Sequence, residues 1–147
     1  NLLDFDDTYS IMKNGRGSGK ITGGNLSLVV ATLGTDHEIN TDGKILFLEE
    51  TNEASYRIDR MLQQLRLAGK FDKLQGIILG DFKNPKQADP TDMTIDEVFY
   101  DNFGKLNIPI IKNFKSGHVR PFITVPIGAK AKIDTYNRQI IIEKSTK

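Results

Sequence analysis

The stretch from Lys44 to Leu65 constrains the fold of this chain more than any other. Ile45 to Leu48 is an unbroken apolar run, entered through Asp42-Gly43 and halted at Glu49 and Glu50. A run without alternation suits a strand covered on both faces. Beyond the acids, Ile58, Met61, Leu62 and Leu65 recur at offsets of three and four, which lays one apolar stripe along a helix that Gly69 can end. The stretch therefore reads as strand, acidic elbow and helix. A second short apolar run, Ile77 to Leu79 between Gly76 and Gly80, follows at the spacing of a βαβ unit. Its crossover should be right-handed and its strands parallel.

The ends of such strands are where open α/β sheets hold ligands. Glu49, Glu50, Glu53 and Asp81 all stand there. Glu50 and Glu53 also suit a helix start, with Thr51 or Asn52 as the cap and the dipole favouring negative charge. Glu49 is the last residue in register with the apolar run, so its carboxylate is expected to be half-buried and partnered.

Along the rest of the chain, residues 1–19 read as the tail of a linker, with one edge strand around Tyr9 to Met12 and a glycine-rich turn from Asn14 to Gly19. Gly23-Gly24 allow a tight turn or a close approach of backbone. Asn25 or Ser27 would then cap a helix from Leu26 to Leu33, ended by Gly34. A turn of that kind exposes backbone N–H groups able to hold a carboxylate. Phe82 to Met93 has the composition of a surface loop, Thr94 to Glu97 is a capping box, and residues 107–111 form a third short strand. That strand leads to Gly117-His118. The segments at 122–134 and 139–143 read as β with a turn at Tyr136 to Arg138, whereas His37 falls in a polar loop and reads as a solvated surface residue.

Composition narrows the chemistry. The 147 residues fit one domain, and 20 basic against 19 acidic side chains, scattered along the chain, do not call for nucleic acid. Cysteine is absent and histidine occurs twice, which leaves no thiol nucleophile and poor supply for zinc. No apolar run has transmembrane length and no basic-plus-apolar leader is visible, so a soluble, cytoplasmic protein with no membrane partner is the default expectation. The chain opens without methionine in polar, turn-rich sequence, as expected of a piece cut from something longer.

A carboxylate at one strand end and a histidine in another loop make two thirds of a nucleophilic triad. Three groups of motifs then coincide: Gly23-Gly24-Asn25-Leu26-Ser27-Leu28; Gly43 to Glu50 with Tyr56 to Leu62; and Gly117-His118 followed by Val125 to Ala129. Together they resemble the C-terminal domain of the LD-carboxypeptidases, over residues 11 to 143. Those are serine peptidases that release the terminal D-alanine of murein tetrapeptides, and the microcin C immunity hydrolases belong with them.

The resemblance implies a swivelling β/β/α domain with a mainly parallel sheet, the C-terminal part of a two-domain enzyme, with residues 1–19 as linker and 20–147 as the domain. It also implies a Ser-Glu-His triad without metal or cofactor, in which Glu49, matching the first acid of the Leu-Glu-Glu motif, orients His118 as base. Alternation by one residue would shift the role to Glu50. The chain departs from the family in its nucleophile. Ser27, Ser55 and Ser116 lie in other motifs, and the family's serine sits on a separate N-terminal domain, so this chain alone is expected to be inactive. By the same resemblance, the whole protein acts in cell-wall recycling on a muropeptide or other small peptide, pairs with its own N-terminal domain and forms a homodimer. Two alternatives stand beside this: a microcin-type hydrolase of peptidyl-nucleotides, with residues 82–93 bordering an adenine pocket, and a non-catalytic α/β ligand-binding module.

Overall fold

The apolar run at Ile45 lies at the middle of a mixed sheet. The computed structural model describes residues 2–3, 9–83, 85, 87, 89–115 and 124–143, Leu2 and Leu3 by their backbone. Its elements are β1 (Leu2–Leu3), β2 (Ser10–Lys13), β3 (Arg16–Asn25), α1 (Leu26–Ala31), β4 (Ile45–Thr51), α2 (Ser55–Leu67), β5 (Gly76–Lys83), α3 (Ile95–Phe103), β6 (Ile110–Lys112), β7 (Lys130–Asp134) and β8 (Gln139–Ile142). Among the described residues the strands form one eight-stranded sheet in the order β1-β8-β7-β3-β4-β5-β6-β2. The α/β class, the direct parallel β4–β5 pairing and a third strand at β6 are as the sequence predicts, whereas β3, which completes the parallel centre, is not among the predicted strands. Antiparallel arms extend it on both sides.

The centre is buried on both faces. Leu46, Leu48, Ile77, Leu79 and Ile110 meet Ile58, Leu62 and Leu65 of α2 and Val98, Phe99 and Phe103 of α3. Ile45, Phe47, Ile78 and Ile111 point the other way, where the sheet curls so that Ala131, Ile133, Ile140 and Ile142 of the β7–β8 arm share their cluster with Phe114. Each fully buried branched side chain contributes about 2 kcal/mol.

Helices α2 and α3 fall where expected, and α3 carries its capping box, with Thr94 Oγ1 accepting from Glu97 N–H and Glu97 accepting from Thr94 N–H. Helix α1 is shorter than expected. It ends at Ala31 with Thr32 as C-cap. Strand β2 is the expected edge strand.

The glycine-rich stretch is not a turn. Arg16 to Gly19 form the first half of β3, paired with β7, and the boundary expected at residues 19/20 falls inside this strand. Glycine is there because a neighbour crosses closely: a Cβ on Gly17 would lie 1.8 Å from the Gln75 carbonyl oxygen. Glycine serves two purposes, and sequence pattern does not separate a turn from such an approach.

Candidate active site

The parallel strands end together. Strand β3 delivers Asn25, β4 delivers Glu49 and Glu50, β5 delivers Asp81, and β6 runs out through Phe114, whose N–H bonds the Leu79 carbonyl at 3.0 Å. Asn25 and Glu49 are direct register partners. Next to them the β4–β5 ladder slips, pairing Leu48 with Leu79 but Glu50 with Phe82. Irregularities of this kind re-aim side chains at sheet ends. Asp81 is half-buried inside this slip.

Alternation along β4 separates the two acids. Leu46 and Leu48 face the helices and Glu50 follows them; Ile45 and Phe47 face the curled side and Glu49 follows those. Glu50 is 5% exposed and takes hydrogen bonds on both oxygens. Asn25 Nδ2 and Thr51 N–H donate to Oε1 at 3.0 Å each, and Ser27 N–H and Ser27 Oγ donate to Oε2 at 2.9 and 2.5 Å. A carboxylate has about four acceptor positions, and these donors fill them. Burial pushes Glu50 up, but donation from Ser27, Thr51 and Asn25 outweighs it and holds the carboxyl below the usual glutamate value. Glu49 is half-buried, as the sequence predicts.

Thus Glu50 does favour a helix start, though of α1 and not of α2. The expected cap of α2 by Thr51 or Asn52 is not formed: Thr51 still belongs to β4, Asn52 has φ 58°, and Ala54 is the N-cap without a side-chain bond. The strand outlasts its apolar run because Glu50 and Thr51 pair with Phe82 and Lys83. Glu53 Oε2 lies 3.8 Å from Arg57 Nη1. The exposed-amide idea for the Gly23-Gly24 segment holds in this sense: the carboxylate bound at the start of α1 is the chain's own. What sequence reasoning missed is the Ser27–Glu50 bond, although Asn25 was legible as the cap and does accept from Leu28 N–H at 3.2 Å.

A cleft of about 410 Å³ opens beside this strand end, lined among others by Gly23, Asn25, Leu28, Thr32, His37 and Ile127. His37 is exposed, as expected. His118, with Ser116 and Gly117, lies outside the described residues. Lys115, the last described residue before it, follows β6, which lies two strands from β4 in the sheet. Among the described residues no group of three or more His, Cys, Asp or Glu is placed to hold a metal ion, and no helix is long and apolar enough to cross a membrane.

An α/β domain with paired acids at the end of a central parallel strand defines the class, and sequence comparison gives the family. Residues 18–133 match the model of the LD-carboxypeptidase C-terminal domain, and the chain belongs to that family. It is 43% identical over 131 residues to a "Probable murein peptide carboxypeptidase" of Bacillus subtilis, covering 88% of this chain and 41% of that protein. To the microcin C7 self-immunity protein MccF of Escherichia coli it is 32% identical over 140 residues, covering 94% of this chain and 40% of that protein. Among solved structures, wild-type MccF without ligand superposes with a TM-score of 0.84 at 28% identity, over 96% of this chain and 42% of that one. A muramoyltetrapeptide carboxypeptidase from Oxalobacter formigenes gives 0.77 at 26%, over 92% and 50%. The chain thus spans about two fifths of the length of the curated relatives it matches.

Proposed function

We propose that this chain is the C-terminal half of a serine LD-carboxypeptidase active site, with Glu49 and His118 as two members of the triad and the nucleophilic serine on an N-terminal domain. The observation that supports Glu49 as the acid is its place: it stands half-buried near the end of β4 on the face opposite Glu50, whose four acceptor positions are taken by Asn25, Ser27 and Thr51. In this reading His118 takes the proton from the serine hydroxyl as its oxygen attacks the carbonyl of the L-centre. Glu49 favours the resulting imidazolium, and His118 returns the proton to the leaving amine of D-alanine as the C–N bond breaks. Water then hydrolyses the acyl-enzyme with His118 again as base.

The murein substrate is favoured over a peptidyl-nucleotide by sequence, 43% identity against 32%. A cytoplasmic role in wall recycling and a homodimeric whole protein belong to the same proposal. The test is release of D-alanine from a muropeptide tetrapeptide by this chain and by a form extended to the length of its relatives, each also as His118→Ala. Turnover confined to the extended form and abolished by His118→Ala supports the split triad. Activity of the short chain alone overturns the missing nucleophile, and no activity in either form moves the peptidyl-nucleotide hydrolase and the binding module ahead.

A further inference from the structure

Glu50 has no role in the proposed triad, yet its two oxygens accept four hydrogen bonds. Its surroundings make a charge there expensive. It continues the row of Leu46 and Leu48, and in such a place an apolar side chain of similar volume commonly matches or exceeds the stability of a buried charged group. What a carboxylate adds over a leucine is direction. Oε2 grips the first turn of α1 through Ser27 N–H and Oγ, while Oε1 grips Asn25 Nδ2 and the Thr51 amide one residue on. These bonds lie where the β4–β5 ladder slips between Leu48 and Glu50 and where the β3–β4 register ends at the Asn25–Glu49 pair. Here regular pairing alone holds the strand least firmly.

We infer that Glu50 is a positioning residue for the proposed hydrolysis: it touches no reacting atom, and through Asn25, Ser27 and the Thr51 amide it fixes the strand end that carries Glu49 and turns the Asn25 amide beside the cleft. Asn25 is the link. Its Oδ1 is taken by Leu28 N–H, so the Glu50 bond to Nδ2 sets the whole amide plane. Loss of that bond frees the Asn25 side chain, which lines the cleft and whose backbone is the register partner of Glu49. A misplacement of about 1 Å in such a constellation costs on the order of a hundredfold in rate.

This inference rests on the carboxypeptidase reading, and its test separates the two. In the extended form, D-alanine release is measured for the parent, Glu49→Gln, Glu50→Gln, Asn25→Ala and the double Asn25→Ala/Glu50→Gln, well below each melting temperature. Val98→Ala in the core of α3 serves as a destabilised control. The expected result is a kcat for Glu50→Gln lower by roughly 10- to 100-fold with KM within about threefold, a double variant no worse than the poorer single one, and an unchanged kcat for Val98→Ala. Loss in Glu49→Gln with an unchanged kcat in Glu50→Gln, or additive losses in the double variant, overturns the positioning role and leaves the triad standing. An inactive parent, or full activity in Glu49→Gln, overturns the triad and the positioning role with it.

Discussion

The Ser27 hydroxyl donates to Glu50 Oε2 at 2.5 Å, joining the first turn of α1 to the end of β4. With the Ser27 amide on the same oxygen, it makes one residue of a short helix the anchor of a central strand. The two adjacent acids therefore face different ways, Glu50 inward to the helix layer and Glu49 to the opposite face.

That separation predicts unequal phenotypes for stability. Glu50→Ala leaves the half-buried Asn25 and Ser27 donors and the Thr51 amide without their acceptor, a loss of about 2 kcal/mol, or roughly 4–8 °C in Tm for a chain of this size. Glu49→Gln should shift Tm by less than about 2 °C, because the amide keeps the shape of the side chain and sits at a half-buried strand end. Calorimetry on the chain checks both, and equal stability of Glu50→Ala and parent would show that the network stabilises nothing.

The same carboxylate gives an acid limb. The folded Glu50 is held below its ordinary value, so its contribution is fully present above that ordinary value and is lost as pH falls through the lower folded one. Denaturant midpoints between about pH 6 and pH 3 should therefore fall more steeply in the parent than in Glu50→Gln. Parallel curves would refute the assignment.

A methyl group at position 23 should disrupt the parallel centre. Gly23 has φ +118°, and a Cβ there would lie 1.9 Å from the Phe47 carbonyl oxygen. Gly23→Ala is expected to cost about 3 kcal/mol or more, against about 1–2 for Gly24→Ala, where φ is +144° and the space is open. Urea unfolding of the two variants gives the comparison.

Removing the α3 cap should have a smaller, local effect. Thr94→Ala deletes the bond to Glu97 N–H and should cost about 1 kcal/mol, read as a Tm shift of roughly 2–4 °C. Combining Thr94→Ala with Glu97→Ala should cost less than the two separate losses added together, since the box is reciprocal.

On the far arm, Asp134 should titrate unusually low. Arg16 at 3.0 Å, followed by Asn137, holds it down to about 2. A carbon-detected titration should find its midpoint well under the usual aspartate range, and Arg16→Ala should raise it. The stability it contributes is present above the usual aspartate value and lost as pH falls toward 2.

The sequence by itself determined the parallel β4–β5 pair, because Ile45 to Leu48 and Ile77 to Leu79 are apolar without alternation and leave no solvent face. It also determined α2 and α3 through their stripes and the Thr94 box, and it placed acids at the end of β4. Tertiary structure decided the rest. Arg16 to Gly19 joined β3 because Gln75 crosses above Gly17, a contact between residues far apart in the chain. Glu50 left the start of α2 for the start of α1 because β4 continued three residues past its apolar run to pair with β5. The choice between adjacent carboxylates turned on which face of one strand met Ser27. Local pattern encodes periods and caps; partners 20 or more residues apart are fixed only when the strands align.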